Sequence, residues 1–180
     1  MSVKLTYFVH GTTTDNKDKL STGWIPGELS EKGIEQSIEL KNQVNIDDFD
    51  LVISSDLKRA VDSANLTFEG LKEIKHDSRI RECNYGDLNG KPSELVIYDD
   101  HINEPFPNGE SLKEVEARVR DFCNYLLDNY DDKHIAIVAH KAPQFAFQVI
   151  TEGKTWEQAI EEDWRKTKAW KPGWVYIIKR

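Results

Sequence analysis

Close to the amino terminus, an apolar run rich in β-branched and aromatic residues, Leu5, Tyr7, Phe8 and Val9, stops at His10 and Gly11 and gives way to a threonine loop that runs on to Asn16. Near-continuous hydrophobicity, rather than strict alternation, marks a parallel strand covered on both faces by helices. That pattern restricts the chain to an α/β architecture. It also puts an imidazole at the carboxyl end of a buried strand, on the rim where open α/β sheets bind ligands. A second run of the same kind, Ile135 to Ala139, ends in His140 and leads into a helix-like segment.

The remaining segments alternate in the same way. Ser30 reads as the N-cap of a helix reaching about Val44, with Ile34, Ile38 and Val44 expected on its buried side. A strand over Phe49 to Ile53 ends in Ser54 and Ser55, after which Asp56 opens a helix through Arg59, Ala60, Val61 and Ala64. Ile74 to Ile80 offers a further short strand. Arg81 to Asn108, punctuated by Gly86, Gly90, Pro92, Pro105 and Pro107, reads as a long excursion over one end of the sheet, a length of loop that in compact domains is more often functional than idle. Ser111 and Glu114 form a capping box ahead of a helical stripe, Leu112, Val115, Val119, Phe122, Leu126 and Leu127, ending near Tyr130. Pro143 sits in the first turn of a helix that Gly153 stops, Thr155 and Gln158 cap another, and Trp174 to Ile178 forms a last strand.

With 180 residues the chain is expected to form one domain, residues 1–180, around one core. A net charge of −8 argues against general nucleic-acid binding, which needs clustered Lys and Arg, while leaving room for a local cationic pocket. No apolar run approaches the ~20 residues that span a bilayer, and MSVKLTYFVHG carries no signal-like apolar region, so no membrane partner and a cytoplasmic location are expected. Cys83 and Cys123 read as reduced structural thiols. The tryptophans Trp156, Trp164, Trp170 and Trp174 are expected to be packing or interface residues rather than a platform for stacking on bases. His76, His101 and His134 read as surface imidazoles.

His10, Ser54, Ser55 and His140 thus stand at strand ends that can meet on one rim. Arg59 follows on the first turn of a helix whose amino terminus favours anions. Two histidines and an arginine beside a helix terminus point to a phosphate site. Neutral imidazole can attack phosphorus without first losing a proton.

In this arrangement the sequence resembles the histidine phosphatase superfamily, the phosphoglycerate-mutase-like fold, along nearly its whole length. The opening motif of that family is matched by His10, Gly11, Thr13 and Asn16, with Val9 where its first arginine stands. Leu29, Ser30, Gly33 and Gln36 match a second motif, and Ser54, Ser55, Asp56, Leu57, Arg59 and Ala60 a third. Glu82, Gly86 and Gly90 match the glutamate motif, Gly109, Glu110 and Ser111 the Gly-Glu-Ser motif, and His140 the second histidine, with Lys141 where glycine is usual.

The resemblance implies a three-layer α/β/α fold with a mostly parallel central sheet. It further implies a metal-independent, cofactor-free phosphomonoesterase acting on a small phosphorylated metabolite. In that scheme His10 carries the phosphoryl group, Arg59 and His140 bind its oxygens, and Glu82 is the acid and base. Gly11, Thr13 and Asn16 shape the pocket. Lys141 or Arg81 is expected to bring a positive charge to the space that Val9 leaves. The alternative is a degenerate member that binds phosphorylated ligands or protein partners without useful turnover; a mutase is the third reading.

Overall fold

The first strand, β1 (Ser2–Val9), lies where the apolar run puts it, and both its faces are covered: Val3, Leu5 and Tyr7 enter one hydrophobic cluster and Phe8 another. The structure, a computed structural model, describes residues 1–180. After β1 come α1 (Thr14–Lys17), β2 (Leu20–Ser21), α2 (Glu31–Gln43), β3 (Leu51–Ser54), α3 (Lys58–Phe68) and β4 (Ile74–His76). They are followed by β5 (Lys91–Pro92), α4 (Leu112–Asn129), β6 (His134–Ala139), α5 (Lys141–Glu152), α6 (Trp156–Glu161), α7 (Trp164–Thr167) and β7 (Trp174–Lys179).

Five strands form the central sheet in the order β4-β3-β6-β1-β7; all neighbours are parallel except β1 and β7. The larger core cluster joins one face of the sheet to α4, α5 and α6 through residues such as Phe122, Leu126, Phe145, Phe147 and Trp156. The smaller one joins the other face to α2 and α3 through Phe8, Val52, Ala64 and Phe68. This is the three-layer, mostly parallel α/β fold of the phosphoglycerate-mutase-like type. No helix is long and apolar enough to cross a membrane.

The predicted caps are present. Ser111 and Glu114 form a reciprocal capping box on α4, Thr155 and Gln158 another on α6, and Gly153 ends α5 in the left-handed conformation at φ 69°. Three expectations need correction. On α2, Ile34 and Ile38 are 39% and 47% exposed, and the buried residues are instead Gly33 and Ser37. The reason is that α2 meets α3 through small groups, with the Thr67 hydroxyl donating to the Ser37 carbonyl at 2.6 Å, so a large side chain at the seam would push the helices apart. The strand predicted over Phe49 to Ile53 is β3, shifted to Leu51–Ser54, because the Phe49 N–H closes a 3₁₀ turn on the Ile46 carbonyl. Asp56 does not open α3, whose N-cap is Leu57; its carboxylate is taken by Arg81.

The excursion from Arg81 to Asn108 is built on short 3₁₀ turns and fastened by Tyr85, Tyr98 and Phe106, all buried, with the Tyr85 and Tyr98 hydroxyls bonded at 2.7 Å.

Candidate active site

Parallel pairing of β1 with β6 sets Val9 opposite Ala139, so the next residue on each strand leaves the sheet beside its counterpart. Those residues are His10 and His140, and their ring centroids are 5.1 Å apart. The ladder continues one step past β1, since the His10 N–H donates to the Ala139 carbonyl at 3.1 Å. His10 Nδ1 lies 2.8 Å from the Gly11 carbonyl. A carbonyl can only accept, so Nδ1 holds the ring proton and the lone pair is on Nε2.

His140 is fully buried, and its Nε2 is 2.8 Å from Ser55 Oγ. That hydroxyl already accepts from the Leu57 N–H and finds no other acceptor, so its proton goes to Nε2. The His140 ring proton then lies on Nδ1, which is buried and without a partner. Buried polar groups are nearly always paired, so this unpartnered Nδ1 beside the His10 ring stands out.

Burial first, and the Arg59 guanidinium second, push the His10 imidazolium down to about 3. The same two causes, followed by His10 itself, hold His140 well below the usual histidine range. Both rings are therefore neutral near pH 7. Arg59, the second residue of α3, is buried, and burial lowers its pKa while the Glu82 charge partly offsets that. Its Nη2 donates to the Gly23 carbonyl at 2.7 Å and its Nη1 to that of Ile25 at 3.3 Å, which fixes the fork while Nε stays uncommitted.

Glu82 is buried, and its Oε1 accepts from the Cys83 N–H at 2.9 Å and from the Ala142 N–H, in the first turn of α5, at 3.0 Å. Oε2 makes no hydrogen bond within the chain. Arg118 of α4 holds this segment in place, donating to the carbonyls of Arg79, Arg81 and Glu82 while binding both oxygens of Glu110.

His10, Arg59, Glu82, Asn16 and Lys141 line one cleft of about 430 Å³, together with Val9, Tyr85 and Tyr98. His140 backs it. Thr13 is buried beneath the loop as the N-cap of α1, and it exchanges capping bonds with Asn16, so it places Asn16 rather than facing the cleft. Gly11 packs against α2, where a Cβ would come within 2.4 Å of the Gly33 carbonyl oxygen. The second motif explains itself here: Ser30 Oγ donates to the Thr12 carbonyl, and Gln36 Oε1 accepts from the Thr12 N–H and hydroxyl, so α2 braces the loop after His10.

Arg81, expected at the site, is not there. Its guanidinium is engaged by Asp56 at 2.6 Å through both Nε and Nη2 and lies over the Trp24 ring. Lys141 is there, with its Nζ 3.4 Å from Asp163 and 4.7 Å from the Tyr98 ring centre. Sequence reasoning missed Thr12, Tyr98, Trp164 and Arg165, which also line the cleft. Only the isolated Asp-Trp-Arg at 163–165, an acid and a base around an aromatic, could have drawn attention to the last two.

Among known proteins, residues 7–147 match the model of the histidine phosphatase superfamily, branch 1. The chain is 38% identical over 134 residues to the fructose-2,6-bisphosphatase TIGAR of Xenopus tropicalis, a match that covers 68% of this chain and 49% of that protein. It is 40% identical over 96 residues to the 2,3-bisphosphoglycerate-dependent phosphoglycerate mutase of Streptococcus uberis, covering 49% of this chain and 41% of the mutase. The chain thus spans about half the length or less of these curated relatives. The crystal structure of the alpha-ribazole phosphatase from Shigella flexneri superimposes with a TM-score of 0.75 at 25% identity, over 89% of this chain and 84% of that one. Given a family match that takes in both histidines, Arg59 and Glu82, the chain belongs to the histidine phosphatase superfamily.

Proposed function

We propose that the protein hydrolyses a small phosphomonoester through a phosphohistidine on His10, without a metal. The observation that carries this reading is the pair of imidazoles. One has its Nδ1 proton tied to Gly11 and a free Nε2, and the other presents an unpartnered Nδ1–H beside it. His10 Nε2 attacks phosphorus and the P–O ester bond breaks. Arg59 and the His140 Nδ1–H bind the nonbridging oxygens, where charge redistributes in the transition state. Glu82, anchored through Oε1, gives a proton from Oε2 to the departing alkoxide. It then takes one from the water that attacks the phosphohistidine, so that the N–P bond breaks and inorganic phosphate leaves. Asn16, positioned by Thr13, and Lys141 complete the rim, and the cleft of about 430 Å³ suits a small metabolite. Phosphatases and mutases among the relatives support the reaction class.

The test is turnover of p-nitrophenyl phosphate by wild type and His10→Ala. A loss of ~10³-fold or more in the variant is expected, as for removal of a covalent nucleophile. Equal rates would remove the enzyme reading.

A second reading, a member that binds phosphorylated ligands with little turnover, is favoured by Val9 alone. It stands on the cleft wall where the family motif has arginine, and loss of one preorganised donor costs roughly 3 to 4 kcal/mol in comparable sites. Tight binding of a phosphorylated ligand with no His10-dependent turnover would select it.

A further inference from the structure

The strand that presents His10 offers no cation to the cleft, because Val9 is apolar, and Arg81 is held outside by Asp56. A transferring phosphoryl group has three equatorial oxygens to satisfy, and in a site of this kind positioning and electrostatic stabilisation carry most of the catalysis. Arg59 supplies one guanidinium, and its two terminal nitrogens already each give a proton to the carbonyls of Gly23 and Ile25. The cleft has one other guanidinium, and it comes from a part of the chain beyond the family match at residues 7–147.

We propose that Arg165 of α7 is the second guanidinium of the phosphoryl site, taking nonbridging oxygens alongside Arg59; this rests on the phosphatase reading. Its Nη1 donates to Asp163 Oδ1 at 3.0 Å, and its Nε and Nη2 have no partner within the chain, so an edge of the fork is open to a ligand. Asp163 is buried and also accepts from the Arg165 N–H at 3.1 Å while pairing with Lys141. One carboxylate thereby holds both extra cations of the cleft at once.

The segment itself is fastened. The Trp164 ring stacks on that of Trp174 with centroids 5.2 Å apart, and its Nε1 donates to Gln144 Oε1 at 3.2 Å. Arg165 is also among the charges that keep the His10 ring neutral, which is consistent with its nearness to the nucleophile. Val9 lines the same cleft as Arg59 and Arg165, so an arginine introduced at position 9 starts from the wall of the phosphoryl site itself.

The experiment compares wild type, Arg165→Ala, Arg165→Lys and the double variant Val9→Arg/Arg165→Ala. The readouts are p-nitrophenyl phosphate turnover and calorimetric binding of orthovanadate. Arg165→Ala is expected to lower kcat/KM roughly 100-fold and to weaken vanadate binding in parallel, with the lysine variant between. The double variant is expected to regain about tenfold of the loss in turnover together with part of the lost vanadate affinity.

Turnover and vanadate affinity of Arg165→Ala within about threefold of wild type would overturn the assignment. So would a fall in turnover that leaves vanadate binding unchanged and is not recovered in the double variant. Failure of the phosphatase reading is separable: wild type and His10→Ala would then turn over alike, while the effect of Arg165→Ala on vanadate binding would still decide whether this guanidinium binds the anion.

Discussion

His10 and His140 are kept neutral by their surroundings, and this has consequences for both activity and stability. Because kcat/KM reports ionisations of the free enzyme, and the His10 imidazolium is pushed down to about 3, the pH profile is expected to lack an acid limb from His10 between about pH 5.5 and 7, once ionisation of the substrate is allowed for. An inflection near the ordinary histidine value of about 6.5 would contradict the described environment. For stability the sign runs the other way from a salt-bridged histidine. Between about 3 and 6.5 the unfolded chain binds a proton that folded His10 refuses, so stability is lost as pH falls below about 6.5. His140, also depressed, adds to the loss. The drop in melting temperature on acidification from about pH 7.5 to about 5 is therefore expected to be smaller in His140→Gln, which keeps an acceptor-bearing side chain beside Ser55 but does not titrate. At this scale much of the candidate site was legible. His10, Arg59, Glu82 and His140 each follow a buried strand or fall in a motif with neighbours to check them. Arg81 was misplaced because adjacency to Glu82 in sequence says nothing of direction, and Asp56 draws the side chain out of the cleft. Arg165 was missed because tertiary packing, with Trp164 stacked on Trp174, brings its segment to the cleft that His10 lines.

Helices and strands were read well where periodicity reflects burial by large side chains, as in α4, and poorly where burial is by small ones, as in α2. The stripe on α2 that matters is Gly33 and Ser37, and no hydrophobicity pattern reveals a close helix contact made by hydroxyls and glycine. Gly33 of that stripe also meets the loop after His10, and this second contact is testable. A methyl group on Gly11 would meet the Gly33 carbonyl oxygen at 2.4 Å, and one on Gly33 would meet the Thr12 carbonyl oxygen at 2.0 Å. Because both obstacles are backbone, Gly11→Ala and Gly33→Ala are each expected to destabilise by about 1–3 kcal/mol and to lower activity by shifting the loop after His10. Chemical denaturation with parallel assays measures both; variants as stable as wild type would mean that α2 does not clamp the loop. On the opposite face α4 does similar service for Glu82 through Arg118. Arg118→Met strands the carbonyls of Arg79, Arg81 and Glu82 and the Glu110 carboxylate together, so a loss of roughly 2–4 kcal/mol is expected, along with a reduced kcat. Unaltered stability would show that the segment holds itself.

Across the whole molecule, the larger core cluster runs without interruption from Val3 and Leu5 of β1 through α4 and α5 to Trp156, Tyr176 and Ile178 near the carboxyl terminus. Residues 1–180 are accordingly expected to unfold in one cooperative step, with near-ultraviolet and far-ultraviolet circular dichroism giving coincident transitions; separated midpoints would divide the chain into independent units. The general architecture was readable because parallel strands announce themselves as unbroken apolar runs, whereas the antiparallel docking of β7 beside β1, which sets Trp174 against Trp164, depends on pairing that composition does not encode. The register of β1 on β6 has a last implication. Two imidazoles drawn from distant parts of the polypeptide are neighbours because the middle of the sheet pairs the strands that carry them. In the proposed mechanism, competence to react is thus a property of that junction. Loosening the outlying β4 should cost stability while sparing the reacting pair, but any partly folded form with its two central strands parted would hold half a reaction centre and be silent.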